Sequence, residues 1–170
     1  LVKYLGINMG AIYVAKGEEL SDQVLELLSA YAPDAKQLQA KIHPGEGFVG
    51  TCFNEGQMME ITDVPTTYSK ISSGLGEAPP SYLAFIPLLQ DESKLGVIEL
   101  ASFKKLEKHK IEFIQKLSQN IASFIAIRTS SIRVQEMLAR SQTQAEELQA
   151  QEEELRQNLE EMQATQEELN

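Results

Sequence analysis

Hydrophobic and polar positions divide this chain into a first part with strand-like runs and a last part with one uninterrupted helical pattern. Residues 1–6 read as the tail of a helix whose beginning is missing, and residues 8–15 (Asn-Met-Gly-Ala-Ile-Tyr-Val-Ala) as a strand, with a turn at Gly17-Glu18-Glu19. Val24–Tyr31 is a second apolar run of strand length ended by Pro33-Asp34, and residues 40–43 form a third before Pro44. Phe48, Val49, Cys52 and Phe53 recur at helical spacing, which predicts a short helix with one buried face closed by Gly56. Residues 57–64 read as a strand ended by Asp63 and Pro65. Residues 82–89 and 95–103 give the clearest strands, joined as a hairpin through Asp91-Glu92-Ser93. Between them, residues 66–80 are rich in Ser, Thr, Gly and Pro and read as a long loop, a length usual for lids and binding segments.

From about Leu106 the period becomes helical. Ile111, Ile114, Leu117, Ile121 and Phe124 form a stripe expected to pack on the sheet. Neither Gly nor Pro occurs from Val97 to the end, and apolar residues then follow a heptad with Phe124 at position a. The seam reads Phe124, Ile127, Val134, Leu138, Ala145, Leu148, Leu155, Leu159, Met162 and Leu169, broken by Ser131, Ser141, Glu152 and Gln166. Such a seam needs a partner helix, and its polar layers lower stability while fixing register. The Glu pairs 146/147, 153/154, 160/161 and 167/168 fall at b and c, and the flanks are largely neutral, which suits an identical chain in parallel. The pattern fits a two-state signalling coiled coil or a passive spacer. The whole predicts an α+β fold: a five- to six-stranded, mostly antiparallel sheet flanked by helices over residues 1–127, followed by a coiled-coil helix over residues 128–170.

Charge narrows the partners. The net charge is −10 over 170 residues, which repels phosphate backbones and anionic lipid, so nucleic acid and direct membrane contact are not expected. Residues 1–127 hold 11 Lys/Arg against 15 Asp/Glu, and residues 128–170 hold 4 against 10, so the helix carries most of the excess. A single cysteine, Cys52, fits a reducing compartment, and no stretch approaches the roughly 20 apolar residues of a membrane span. The chain reads as a piece of a longer, cytoplasmic protein.

Gly45-Glu-Gly-Phe-Val-Gly, Asp63-Val-Pro after a strand, Tyr82-Leu-Ala-Phe-Ile-Pro-Leu, Leu95-Gly-Val-Ile-Glu-Leu and the closing helix over 111–127 together resemble a GAF domain. The resemblance covers nearly all of residues 1–127. It implies a PAS-related central antiparallel sheet, a ligand pocket on one face covered by loops, and a sensory role in a bacterial signal-transduction protein such as a histidine kinase of a two-component system. The Gln- and Glu-rich tail is similar to helices that link bacterial sensory domains to a following output domain in the same chain.

The remaining chemistry is sparse. Residues 45–50 spell G-x-G-x-x-G, but a dinucleotide fingerprint needs a strand, tight turn and crossover helix, whereas Pro44 breaks the entry and Gly56 stops the helix early. Cys52 among Phe48, Val49 and Phe53 reads as a buried small hydrophobe with no nearby cation to lower its pKa and no resolving partner. That speaks against the GAF-fold enzymes that reduce free methionine sulfoxide, and the cysteine also lies outside the region where bilin-carrying relatives attach chromophore. His43 and His109 stand far apart without a Cys or paired His, so no metal is expected. The Asn-Lys-x-Phe-x-Asp-Glu signature of cyclic-nucleotide-binding relatives is absent. Candidate ligand contacts are Thr66, Tyr68, Ser72, Ser73, Glu77 and Tyr82, polar groups over a sheet face, the alternative being a solvated loop. The expected function is non-catalytic: a ligand-binding sensory domain and parallel homodimer that relays a signal downstream. The alternatives are a constitutive dimerisation scaffold with no ligand and a GAF-fold redox enzyme.

Overall fold

A computed structural model describes residues 2–17, 22–31, 38–73 and 76–168. The turn expected at 17–19, the Pro33-Asp34 breaker, the Ser73 side chain and the seam residue Leu169 therefore fall wholly or partly outside the described residues. Among the described residues eleven elements follow in order: α1 (Val2–Leu5), β1 (Met9–Lys16), β2 (Val24–Tyr31), β3 (Lys41–Ile42), α2 (Gly47–Glu55), β4 (Met59–Ile61), β5 (Ile71–Ser73), β6 (Gly76–Ala78), β7 (Tyr82–Gln90), β8 (Ser93–Ser102) and α3 (Lys108–Glu168). Packing divides the chain into two units, Leu1–Ala126 and Ile127–Asn170.

The first unit is built on a six-stranded sheet in the order β3-β2-β1-β8-β7-β4, with every neighbouring pair antiparallel. The tight β7–β8 turn is set by Asp91 at φ 51°, a left-handed conformation that Asp tolerates. Because side chains alternate across a strand, the sheet buries two separate cores. One gathers Met9, Ala11, Tyr13, Leu25, Leu83, Phe85, Val97 and Ala101 against Val49, Cys52 and Phe53 of α2. The other gathers Tyr82, Ala84, Ile86, Leu88, Ile98 and Leu100 against Leu5, Leu106, Ile114 and Ala122.

Three sequence expectations change. Residues 66–80 are not an unstructured loop: β5 and β6 pair as a small hairpin, Ile71 with Ala78 and Ser72 with Glu77, and Ile71 is buried in the first core. The strand expected over 57–64 shortens to Met59–Ile61. In α3 the inward stripe continues through Ala122 and Ile125, while Phe124 is 75% exposed and does not pack on the sheet. A helix turns 100° per residue, so a stripe through 111, 114, 118, 121, 122 and 125 leaves 124 on its outer side.

The second unit is the remainder of α3, all of whose described side chains are exposed. Ile127, Val134, Leu138, Leu148, Leu155, Leu159 and Met162 are among the exposed large apolar residues. Arg156 bridges Glu153 at 2.8 Å and Glu160 at 3.5 Å along the helix surface. No described helix is long and apolar enough to cross a membrane.

Candidate functional site

The G-x-G-x-x-G segment turns the chain into α2. Gly45 and Gly47 take φ 86° and 59°, and a Cβ on Gly50 would lie 2.4 Å from the His43 carbonyl oxygen, so the helix start packs directly on backbone. Glu46 closes this turn from both sides: its N–H donates to the His43 carbonyl at 2.9 Å, and its carboxylate accepts from the His43 N–H at 2.9 Å. The strand–turn–crossover setting of a dinucleotide site is not formed, since β3 before this segment pairs antiparallel with β2 and β4 after it pairs antiparallel with β7.

Seated this way, α2 delivers Phe48 to the sheet face, where three rings meet. Phe48 lies 5.2 Å from Tyr68 and 5.6 Å from Phe85, and Tyr68 meets Phe85 edge-on at 6.4 Å between ring centres. The Tyr68 hydroxyl donates to Glu99 Oε1 at 2.9 Å. Glu99 stands on β8 opposite Ala11 of β1 and Phe85 of β7, so its carboxylate points into an otherwise apolar layer. Burial pushes its pKa above the usual carboxylate range, only partly offset by the Tyr68 hydrogen bond. The Tyr68 and Tyr13 phenols are both pushed up, chiefly by burial and then by the Glu99 charge. Among the described residues no cation pairs with Glu99.

Beside this group lies a notch lined by Met9, Gly10, Ala11, Leu38, Ser69, Glu99 and Ala101. The volume it offers to the centre of a water-sized group is about 20 Å³.

The five candidate ligand contacts whose side chains are described do not converge here. Tyr68 does reach the notch region. Thr66 is exposed, and Ser72 is half-buried on β5. Glu77 is exposed and pairs with Lys70 at 3.5 Å. Tyr82 lies in the opposite core and donates to Glu60 Oε1 at 2.6 Å, because the alternation of β7 sends Leu83 and Phe85, not Tyr82, toward the notch. Glu99 and Ser69 stand at the notch, and Tyr13 beside Glu99, without a motif in the sequence that marks them. A carboxylate at an inward position between Val97 and Ala101 is the sequence signal that would have found the first.

Cys52 is 0% exposed. Its thiol donates to the Gln57 carbonyl at 3.3 Å, and burial, followed by the Glu55 charge, pushes its pKa up to about 12. Among the described residues there is no cluster of three metal-ligating side chains.

The sequence matches the GAF domain family over residues 1–126. No curated protein matches it. Among solved structures, the GAF-B domain of DevS from Mycobacterium smegmatis superposes with a TM-score of 0.58 at 14% identity, covering 78% of this chain and 90% of that one. The GAF domain of a phosphoenolpyruvate-protein phosphotransferase from Coxiella burnetii gives 0.62 at 17% identity, covering 77% and 79%. Free methionine-R-sulfoxide reductase from Neisseria meningitidis, in complex with its substrate, gives 0.57 at 18% identity, covering 77% and 74%. At these identities the likeness is one of fold.

Proposed function

The chain belongs to the GAF domain family, and on that premise we propose that it is a non-catalytic sensory module of a bacterial, cytoplasmic signalling protein. In this reading residues 1–127 bind a small molecule at the notch floored by Glu99, and residues 128–170 pair in parallel with a second copy and relay occupancy to an output domain of the same chain. The reading rests above all on one observation: a part-buried carboxylate, held by one phenol, faces an apolar notch that opens outward. A few fixed polar groups in an apolar concavity are what a ligand site requires. The exposed apolar seam of α3 supports the dimer.

A second reading, a dimerisation scaffold that binds nothing, draws on the smallness of the enclosed space and on the ring cluster of Phe48, Tyr68 and Phe85 beside it. Redox catalysis draws no such support. The single thiol is buried, hydrogen-bonded and, at a pKa near 12, protonated at neutral pH.

Native mass spectrometry of the full chain, purified gently from a cellular host, tests the choice. A dimer carrying an extra small mass, lost in Glu99→Ala, is the expected result. A dimer with no added mass from any host would favour the scaffold, and a monomer would overturn the relay.

A further inference from the structure

We propose that the notch selects a small organic cation, a protonated amine with a short apolar body, whose ammonium head meets Glu99. This rests on the reading of the notch as a ligand site and adds the chemistry of the ligand. Two observations carry it. The first is shape. The notch offers the centre of a guest group about 20 Å³, room for a head the size of a water or an ammonium, and it opens to solvent beside the apolar walls. The walls are mainly Met9, Ala11, Leu38 and Ala101, which suit an alkyl body and offer an acid head no donor side chain beyond the Ser69 hydroxyl.

The second is charge. Glu99 is the one ionisable group in the lining, and among the described residues it receives a hydrogen bond from Tyr68 and an ion pair from none. A carboxylate withdrawn from water without a counter-charge is costly, and a cation recovers far more of that cost than a neutral donor does. The titratable groups recorded as facing it are Tyr13 from β1 and Tyr68 from the segment before β5, both acids held neutral, so neither competes with a cation. Burial raises the pKa of the free Glu99, and an ammonium head would hold the carboxylate ionised, so binding releases a proton and strengthens as pH rises through that raised pKa.

The test is a titration of the methyl-labelled full chain with n-butylammonium, n-butanol and butyrate, read by NMR at Met9, Ala11, Leu38 and Ala101. The expected result is saturable shifts with n-butylammonium, at least tenfold tighter than with n-butanol, none with butyrate, and loss of the preference in Glu99→Gln. Tyr68→Phe keeps the charge and so keeps the preference for the cation, which separates recognition from a folding defect. Equal binding of n-butanol, unchanged by Glu99→Gln, overturns the cation and leaves the ligand site standing. No shift at these methyls with any of the three overturns the cation, and the native mass measurement then decides separately whether the notch holds a ligand at all.

Discussion

Glu99 owes its position to strand parity. On β8, Val97, Glu99 and Ala101 share one face and Ile98 and Leu100 the other, so a carboxylate enters a layer otherwise made of aliphatic and aromatic groups. The same parity explains why Tyr82, adjacent in sequence to the covering segment, belongs to the opposite core, while Tyr68 reaches Glu99 from 31 residues away. Sequence spacing announces neither long-range meeting; only the strand face does. A pH effect follows. The folded chain holds Glu99's proton more tightly than the unfolded chain, so this group's contribution is intact below the ordinary carboxylate range and is lost as pH rises through its raised pKa. Glu99→Gln removes that loss. Its urea midpoint should exceed that of the wild type at pH 8, with the difference shrinking toward pH 4. A variant less stable than wild type by the same amount at every pH would show that Glu99's ionisation plays no part.

The elements divide by how strongly their pattern speaks. β2 and β7–β8 are legible because apolar runs fill them and turn-forming residues in the sequence bound them, and α3 because neither Gly nor Pro interrupts its 61 residues. The β5–β6 hairpin escapes notice: each strand has three residues, and Ser72, Ser73, Gly76 and Glu77 carry no alternation. The apolar stripe puts Phe124 inward because a five-residue pattern tolerates a one-position drift that a 3.6-residue period does not. Gly96 tests the sheet itself, since a Cβ there would lie 2.1 Å from the Tyr13 carbonyl oxygen across the β1–β8 pair. Gly96→Ala should cost about 3 kcal/mol, read as a lowered urea midpoint with an unchanged slope; a loss under about 0.5 kcal/mol, the usual size of a surface effect, would show that β1 yields there. Glu152 tests the seam. In a parallel dimer the two copies of an a-position carboxylate face each other, so Glu152→Leu should raise the melting temperature of the helix signal and tighten association in sedimentation experiments. Weaker association would contradict the parallel register.

At the scale of the whole molecule, the sensory reading joins a site in the first unit to a helix that serves as the second. Occupancy can reach an output domain only if two arrangements of that helix pair differ in their affinity for the ligand, and by linkage the ligand must then shift the helix pair. The seam contains the means for two arrangements, because Ser131, Ser141, Glu152 and Gln166 weaken the layers that would otherwise lock one register. In a Cys52→Ser background, single cysteines at Leu148 and Leu155 report position d, and one at Gln149 reports the neighbouring e position. With the ligand identified by mass, crosslinking at 148 and 155 should fall as that at 149 rises, or the reverse, by at least twofold. Such opposed changes require rotation of the pair, which neither dissociation nor a general loosening produces: both would move all three yields together. Equal yields with and without bound ligand would make the helix a spacer, and the sensory reading of the notch would then need another route out of the domain.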